Sequence, residues 1–397
     1  MAKNLLFITW DGPQTSYMEG LFMPIFNEIA KREAVNFHVI QFTWATPDRI
    51  AITQQKANEL GIQYKARPIF RKPTAIIGSF YSLYLGIVFL KNYIKKNRID
   101  IVMPRSSMPS IMINRLKKRN FYLLYDADGL ALEERVDFSG LLKTSKQYRF
   151  FKNEENKILL NSDAVITRSQ KAIEIHRHTL NYKNSEKFSV VLNGRNTEFF
   201  KPNFSERRLL REEFSISVDA TVFVYCGSLG PQYGWDEMMV LFQKYQKKHA
   251  HAKFLILTGN IEFAQERLPL HLKTAIILKK VSFEEVPKYL NIADVAFAIR
   301  KPTFSMQGVA PIKLGEYLLM GIPTIASAGI GDSEAILKEI PDCFLFHHES
   351  VDNIEKALSF IENLKDVNHK KIREYGIQCF SIEKSAQSYL NVLNLLK

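Results

Sequence analysis

The chain has 397 residues, of which 46% are hydrophobic and 24% are charged, as is ordinary for a globular enzyme of about two domains. Its three cysteines, Cys226, Cys343 and Cys379, are widely spaced and odd in number. They exclude a disulfide framework and a metal knuckle, and they fit a reducing cytoplasm.

The positive charge is concentrated in the first half of the chain. Residues 1–200 contain 30 Lys and Arg against 18 Asp and Glu, a balance of +12, whereas the remainder has 24 against 23. A basic half can meet nucleic acid, an anionic membrane surface or an acidic ligand. Basic clusters at predicted helix ends have a simpler explanation, because the carboxyl ends of helices favour cations.

The first elements predict a parallel α/β unit. A buried strand at Leu5–Ile8 is too short for the core of a signal peptide, and it leads into a turn containing Gly12. An amphipathic helix and a second strand, Phe37–Phe42, follow. The turn lacks the Gly-x-Gly-x-x-Gly fingerprint of dinucleotide-binding proteins, which disfavours a nicotinamide dehydrogenase.

An uncharged segment, Ala75–Leu90, is flanked by Arg71, Lys72 and Lys91. A membrane-spanning helix needs about 20 apolar residues, and Gly and Ser interrupt this one. We expect a buried core helix. The alternative is a helix that dips into a membrane and has basic flanks.

Asp126 and Asp128 follow the predicted strand Phe121–Tyr125. The carboxyl ends of parallel strands are where open α/β sheets place their ligands, so the two side chains are candidate site residues. The alternative is that they cap the next helix. A long amphipathic helix is expected at about Leu141–Leu160.

The segment Asn193–Pro202 is polar, contains a glycine and ends in proline, which predicts a domain boundary. After it the α/β pattern restarts with strand Thr221–Cys226 and the turn Gly227–Gly234. The sequence therefore predicts two consecutive doubly wound α/β domains with a cleft between them.

The segment Arg300–Gly331 predicts a strand, a basic loop, a short helix and another strand. The helix follows Pro311 and ends at Gly321. Lys313 and Glu316 are three residues apart and therefore on one side of it. Helix amides beside cations bind phosphate, and a carboxylate one turn further on can accept hydrogen bonds from sugar hydroxyls. This combination predicts a nucleotide-sugar site.

Several motifs in this order resemble the retaining glycosyltransferases of family 4, and the resemblance spans most of the chain. Asn193-Gly194 with Phe199, Phe200 and Pro202 resembles the linker of that family, and residues 163–169 and 223–229 are similar to two of its strands. Residues 281–290 with Asp294 resemble its Val-Ser-x-Glu-Glu-Val-Pro segment. Residues 311–323 match a Pro-x-Lys-Leu-x-Glu-Tyr-Leu variant of its signature helix.

The resemblance implies the GT-B fold, in which two Rossmann-like domains face each other across a cleft. We expect an acceptor-binding domain at 1–195, a nucleotide-sugar domain at 196–380, and a C-terminal helix at 381–397 packing toward the first domain. The implied reaction transfers a sugar from a nucleotide-sugar to a glycan or lipid-linked acceptor, with retention and without a metal or other cofactor. The expected catalytic residues are Asp126, Asp128, Lys313 and Glu316. The expected donor-binding residues are Gly12, Gly227, Ser228, Gly259, Val281, Arg300, Lys301, Val309, Ala310, Ile312, Lys313 and Glu316.

The sequence also departs from the family pattern. Glu316 matches the second glutamate of a Glu-x7-Glu signature, but Gly308 stands where the first is expected. Ser228 and Tyr233 stand where many members have an arginine and a lysine that bind phosphate. We expect Arg300 or Lys301, together with Lys313, to replace that charge. A family histidine is replaced by Asp126 or Asp128.

Other interpretations remain open at this point. A sugar-nucleotide epimerase can share the fold, and Gly308 is compatible with a catalytically silent partner subunit. Nucleic-acid binding is disfavoured because the basic patches lack interleaved aromatic residues. The usual setting of the family is assembly of surface polysaccharide or glycolipid, such as lipopolysaccharide or capsule. We therefore expect a cytoplasmic protein, peripheral on the inner face of the plasma membrane, whose basic N-terminal half contacts anionic lipid.

Overall fold

A computed structural model of the chain describes residues 2–13, 16–116, 119–182, 185–340 and 342–396. The chain divides into two units. The first comprises residues 1–194 and 382–397, and the second comprises Arg195–Ser381. The C-terminal helix thus belongs to the first unit.

The first unit is built on a seven-stranded parallel sheet in the order β3-β2-β1-β4-β5-β6-β7. A π-helical turn at Met18–Phe22 precedes the first α-helix. The elements in chain order are β1 (Lys3–Asp11), α1 (Met23–Arg32), β2 (Val35–Thr43), α2 (Pro47–Glu59), β3 (Gln63–Pro68), α3 (Ala75–Lys96), β4 (Ile101–Pro104), α4 (Ser107–Ile113), β5 (Tyr122–Asp128), α5 (Ala131–Ser139), α6 (Lys146–Asn161), β6 (Ala164–Thr167), α7 (Gln170–Thr179) and β7 (Phe188–Val190).

The second unit is built on a six-stranded parallel sheet in the order β10-β9-β8-β11-β12-β13. One further helix, α16, follows it in the chain and packs on α1 of the first unit. The elements in chain order are α8 (Phe204–Glu213), β8 (Val222–Cys226), α9 (Trp235–Lys248), β9 (Lys253–Leu257), α10 (Ile261–Arg267), β10 (Ile276–Lys279), α11 (Val286–Leu290), β11 (Val295–Ala298), α12 (Ile312–Leu319), β12 (Thr324–Ser327), α13 (Ser333–Leu337), β13 (Phe344–Phe346), α14 (Asn353–Glu362), α15 (His369–Phe380) and α16 (Ile382–Leu393).

Both sheets have strands of four or five consecutive buried residues, as in β4, β6 and β8. Helices cover both faces of such a sheet, so every side chain along the strand enters a core. This leaves the loops at the carboxyl ends of the strands to carry the polar site residues.

Three local predictions are corrected by the structure. Helix α6 begins at Lys146 rather than near Leu141, because the hydroxyl of Ser145 caps it by accepting from the Tyr148 amide at 3.1 Å. Neither Asp126 nor Asp128 caps α5, for which no side-chain cap is found among the described residues.

The third correction concerns α3, which is not a fully buried core helix. Its Gly86 faces the core, but Phe80 and Tyr84 are 57% and 66% exposed. This is the one helix in the described part of the chain that is long and apolar enough to cross a membrane by length and composition. A buried helix of a soluble protein passes the same test.

Candidate functional site

Most of the predicted donor residues lie at one edge of the second sheet. Gly227 and Ser228 follow β8, Gly259 follows β9 by one residue, and Val281 comes shortly after β10. Arg300 and Lys301 follow β11 after one intervening residue, on the other side of β8. These strands are parallel neighbours, so their following loops share the edge where open α/β sheets bind ligands.

The glycine-rich turn between β8 and α9 packs closely against the end of β11. The Gly234 amide donates to the Ile299 carbonyl at 3.1 Å. A Cβ placed at Gly234 would lie only 2.3 Å from Ile299 Cγ2. A glycine is therefore required here for the turn to approach the neighbouring strand.

Arg300 reaches the same turn from β11. Its guanidinium carbon lies 4.8 Å from the ring centre of Tyr233, and its Nη2 lies 3.5 Å from the Tyr233 hydroxyl. The amide of Lys301 donates to the Gln232 carbonyl at 3.1 Å. Arg300 thus places a cation beside Tyr233. Tyr233 itself stands at a position where the resemblance leads us to expect a phosphate-binding cation.

A hydrogen-bonded chain of side chains supports the main chain at Arg300. The Arg300 amide donates to Ser327 Oγ at 2.9 Å, and Ser327 Oγ contacts His348 Nε2 at 2.9 Å. The other ring nitrogen of His348 lies 3.3 Å from Glu237 Oε1, and this contact holds the pKa of Glu237 below its usual range. Ser327 is fully buried, so it positions Arg300 rather than offering a nucleophile.

Helix α12 is held tightly to the end of β8. The hydroxyl of Tyr317 accepts a hydrogen bond from the Cys226 amide at 2.8 Å. A Cβ at Gly315 would lie 2.6 Å from the Phe380 ring, so the helix can pack this closely on α15 only with glycine there. Pro311 precedes the helix and Gly321 follows it with φ of +69°, as predicted.

Glu316 lies at the centre of an ion cluster, the Glu316 trio, which it forms with Lys313 and Arg195. Its Oε2 is 2.7 Å from Lys313 Nζ, and its Oε1 is 2.9 Å from Arg195 Nε. The Glu316 side chain has no exposed surface, whereas that of Lys313 is 34% exposed. Val309, Ala310 and Ile312 flank the start of the helix.

Both members of the Lys313–Glu316 pair are charged at neutral pH. Burial alone would raise the pKa of Glu316, but Lys313 and Arg195 outweigh it and the pKa is lowered. Burial would also lower the pKa of Lys313, and the neighbouring Cys226 and Glu316 reverse that effect and raise it. Two cations and one carboxylate leave the trio with one net positive charge.

A second buried cluster, the Asp126 cluster, lies at the carboxyl edge of the first sheet. Asp126 Oδ2 is 3.1 Å from Arg105 Nη1, which follows β4, and 2.7 Å from Arg168 Nη2, which follows β6. Arg105 Nη2 is 2.7 Å from Asp128 Oδ2. Two cations and two carboxylates leave this cluster with no net charge.

The two aspartates of this cluster differ in access. Asp126 has no exposed side-chain surface, and Asp128 is 37% exposed. Burial raises the pKa of Asp126, but Arg168 and Arg105 outweigh burial and lower it. Asp128 has φ of +62°, at a shift in strand register between the two aspartates, and its amide donates to Asp126 Oδ1 at 2.9 Å. The strained backbone turns Asp128 outward.

Gly12, the remaining predicted donor residue, follows β1 in the first unit. A Cβ there would lie 2.8 Å from the Trp44 ring. Among the described residues, no group of three or more His, Cys, Asp or Glu side chains is arranged to hold a metal ion.

Residues 206–378, which lie within the second unit, match the sequence model of the family described as Glycosyl transferases group 1. The match covers most of the second unit. The chain is accordingly a glycosyltransferase, and it carries the Glu316 trio within the matched region except for Arg195. No curated protein sequence matches the chain significantly.

Solved structures show that the glycosyltransferase has the predicted GT-B fold. A glycosyltransferase from Rickettsia africae aligns with a TM-score of 0.73 at 14% identity, over 100% of this chain and 99% of that one. Anabaena HepE in complex with UDP-glucose aligns with 0.72 at 13% identity, over 98% and 99%. WaaG, a glycosyltransferase involved in lipopolysaccharide biosynthesis, aligns with 0.69 at 13% identity, over 98% and 99%.

The structure of the glycosyltransferase brings some predicted residues together and adds others. Lys313 and Glu316 form a pair, and Arg300 meets Tyr233, but both oxygens of Glu316 are already paired with cations. Its contact with a ribose therefore stays a prediction, as do the donor roles of the edge residues. The sequence reasoning missed Arg195, although that residue lies inside the Asn-Gly-Arg linker motif. It also missed Arg105 and Arg168, each of which directly follows a buried strand.

Proposed function

We propose that this glycosyltransferase moves a sugar from a nucleotide-sugar donor to a glycan or lipid-linked acceptor, with retention of anomeric configuration and without a metal. The observation that carries the proposal is the Glu316 trio, a buried ion cluster of two cations and one carboxylate at the start of α12. A donor diphosphate is an anion, and the trio together with helix amides suits it.

Departure of a nucleoside diphosphate builds negative charge on the phosphate oxygens. In this proposal Lys313 and Arg300 neutralise that charge, helped by the amides of Ser228 and Gly230 and by those of the first turn of α12. Preorganised donors and cations of this kind are usually the largest contribution to catalysis. They supply the charge that a metal ion supplies in other transferases.

Glu316 accepts hydrogen bonds from the ribose hydroxyls of the donor in this proposal. Its two oxygens each contact one cation, and a carboxylate oxygen has two lone pairs, so acceptor capacity remains. The pairing also fixes where Lys313 points, which makes Glu316 a positioning residue for Lys313 as well.

The first unit binds the acceptor, with Asp128 as the carboxylate that touches the reacting sugar or the acceptor. Asp128 is the exposed member of the Asp126 cluster, and Arg105 orients it at 2.7 Å. A cluster without net charge suits sugar hydroxyls, because it presents both donors and acceptors and attracts no anion.

The setting that we propose is assembly of a surface polysaccharide or glycolipid at the cytoplasmic face of the plasma membrane. WaaG, which shares the fold, is involved in lipopolysaccharide biosynthesis, and HepE was solved with UDP-glucose. These similarities support the proposal, and they make uridine diphosphate sugars the first donors to test.

The experiment is a thermal-shift panel of nucleotides and nucleotide-sugars with the purified chain. A true donor at one hundred times its dissociation constant adds about 2.7 kcal/mol to the free energy of unfolding. The Lys313→Met variant should lose most of that shift, whereas Lys356→Met, a change on the exposed face of α14, should keep it. The proposal fails if no nucleotide or nucleotide-sugar shifts the wild-type protein.

The reaction is then followed with the donor that binds. NMR of the product should show the same anomeric configuration as the donor, and EDTA should leave the rate unchanged. An inverted product contradicts retention, and a loss of rate that added metal restores contradicts the metal-free mechanism. An epimerised nucleotide-sugar formed from donor alone would assign the chain to the epimerases instead.

A further inference from the structure

Helix α3 of the first unit has two apolar faces, and the described residues cover one of them. The covered face, which includes Gly86, Leu90 and Tyr93, packs into the first core. The opposite face we call the α3 surface. It consists of Ile76, Ile77, Phe80, Tyr81, Tyr84 and Val88, which are between 48% and 69% exposed.

These six residues share one side of the helix. Ile76, Phe80, Tyr84 and Val88 are spaced four apart, and Ile77 and Tyr81 lie beside them, so the face is continuous over more than three turns. An amphipathic helix in a soluble protein normally has polar residues on its outer side. A helix that is apolar all round has something against both sides, and the described residues cover one side of α3.

The covered face prevents α3 from leaving the fold to cross a membrane. A Cβ at Gly86 would lie 2.6 Å from Met112 Sδ, and a Cβ at Gly78 would lie 2.2 Å from the Phe70 carbonyl oxygen. Ser82 Oγ accepts from the Phe70 amide at 2.8 Å. These close contacts fix the helix along the surface of the unit, so whatever covers its outer side must come to it.

The segment of sequence that contains the α3 surface has charges of one sign. Residues 60–99 contain eight Lys and Arg and no Asp or Glu. Arg71 lies over the Trp44 ring at 4.8 Å from its centre, and the rings of Phe70 and Tyr81 are 5.3 Å apart. Trp44 and Phe70 are themselves 39% and 41% exposed, so they extend the apolar surface to a basic rim.

We propose that the α3 surface docks onto a bilayer containing anionic lipid. Apolar and aromatic side chains bordered by cations are the pattern of helices that lie in the membrane interface. Tyr and Trp are suited to this level because their rings are apolar and their polar atoms stay in contact with water. The absence of acidic residues over forty positions matches the negative lipid headgroups.

The position of the α3 surface in the fold indicates what docking would do for the reaction. Trp44 follows β2 and contacts Gly12 after β1, at the carboxyl edge of the first sheet. Asp126 and Asp128 end β5 at the same edge. Docking therefore brings the edge that carries Asp128 to the lipid headgroups, where a lipid-linked acceptor is anchored. This use rests on the proposed function, but the docking itself does not.

The test is co-sedimentation with vesicles of phosphatidylcholine alone and of phosphatidylcholine with phosphatidylglycerol. The wild-type chain should bind the anionic vesicles at least about tenfold more tightly, and added salt should weaken that binding. The triple variant Ile77→Glu/Phe80→Glu/Tyr84→Glu should lose at least about tenfold in affinity, because it removes three large apolar groups and adds three negative charges. Equal binding of the two vesicle types, or unchanged binding of the variant, overturns the proposal.

A matched control adds the same three charges elsewhere. Leu142→Glu/Tyr182→Glu/Phe204→Glu replaces side chains that are 68%, 59% and 80% exposed, and it should bind anionic vesicles nearly as the wild type does. A loss equal to that of the α3 variant would overturn the assignment of this face.

The basic rim is tested separately with Arg71→Gln/Lys72→Gln. About a fivefold loss of anionic-vesicle binding is expected for each cation removed, with no change on neutral vesicles. If the wild type instead self-associates in solution and the α3 triple variant is monomeric, a second copy covers the surface and the proposal is wrong. The thermal shift produced by UDP in the α3 variant reports donor binding, so failure of docking and failure of the proposed function are distinguishable.

Discussion

Each unit of the glycosyltransferase contains a carboxylate with no exposed side-chain surface, Asp126 in the first and Glu316 in the second, and their ionic surroundings differ. Asp126 and Glu316 both have no exposed side-chain surface, and each contacts two cations. The cluster in the first unit includes a second carboxylate, Asp128, whereas the trio in the second unit has Glu316 as its carboxylate. The first cluster is therefore neutral, and the second has one spare positive charge.

This difference in net charge arises from the positions of the cations in the fold. Arg105 and Arg168 project from strand ends on either side of β5, so they hold the strand end together. Lys313 lies one helical turn from Glu316 and is one-third exposed, so it faces both its partner and the solvent. The Asp126 cluster stabilises the end of the strand and exposes Asp128. The Glu316 trio exposes the cation Lys313.

The largest expected effect is that of Asp126→Asn on stability. It leaves two buried arginines with too little negative charge, so the free energy of unfolding of the first unit should fall by about 3–5 kcal/mol at pH 7. Urea unfolding, analysed for separate transitions of the two units, measures it.

The pH dependence of that loss has a definite sign. Because the folded protein lowers the pKa of Asp126, its contribution is complete above the ordinary value of 3.8 and is lost as the pH falls below it. The difference in the free energy of unfolding between the wild type and Asp126→Asn should therefore narrow as the pH falls below 3.8. Asp352→Asn, which changes an exposed carboxylate paired with Lys356, should leave the free energy of unfolding nearly unchanged. Equal losses in the two variants would remove the distinction between a buried and an exposed pair.

Lys313→Met should weaken the binding of UDP by about 1.5–3 kcal/mol, the range for a hydrogen bond to a charged group. Arg195 remains to balance Glu316, so the fold should persist. Isothermal titration calorimetry measures the affinity. UDP affinity equal to that of the wild type would show that the spare charge of the trio is not used for the donor.

Glu316→Gln distinguishes binding of the donor's diphosphate from binding of its ribose. The change raises the charge of the trio from one to two, so inorganic pyrophosphate should bind at least as tightly as before. The affinity for UDP should fall by at least about 1 kcal/mol because a ribose hydroxyl loses its charged acceptor. Unchanged UDP affinity would leave Glu316 with only its role in positioning Lys313, and retained pyrophosphate binding serves as the control for folding.

The smallest expected effect is a change in UDP affinity when the Tyr233 ring, which lies against the Arg300 guanidinium, is removed. Tyr233→Leu removes the ring on which the guanidinium lies, and UDP affinity should fall by about 0.5–1 kcal/mol as Arg300 loses its orientation. Tyr233→Phe keeps the ring and should bind UDP as the wild type does. A loss of the same size in both variants would assign the effect to the hydroxyl instead.

The sequence predicts those parts of the site that depend on local spacing. Lys313 and Glu316 are three residues apart in a helix, and they form an ion pair. Gly321 follows that helix in the left-handed conformation, as its position in the sequence predicts. The sequence likewise predicts where strands end, because each strand is an apolar run followed by polar residues.

The sequence does not predict the contacts that depend on strand order. Arg195 meets Glu316 across 121 positions, and Arg168 meets Asp126 across 42. Ser327 ends β12, and His348, 21 positions later, follows the neighbouring strand β13. Such pairs exist only once the sheet is assembled. The α3 surface was missed for a related reason, because hydropathy shows that a helix is apolar all round but not which side the fold covers.

The composition of residues 60–99 has a consequence for how the glycosyltransferase would leave a bilayer. Besides lacking Asp and Glu, this stretch has no His and no Cys. Its ionisable side chains are Lys, Arg and Tyr, whose ordinary pKa values are about 10 or higher. Acidification within the cell would not alter its positive charge. Attachment through α3 would therefore be regulated by lipid turnover and ionic strength, not by protons.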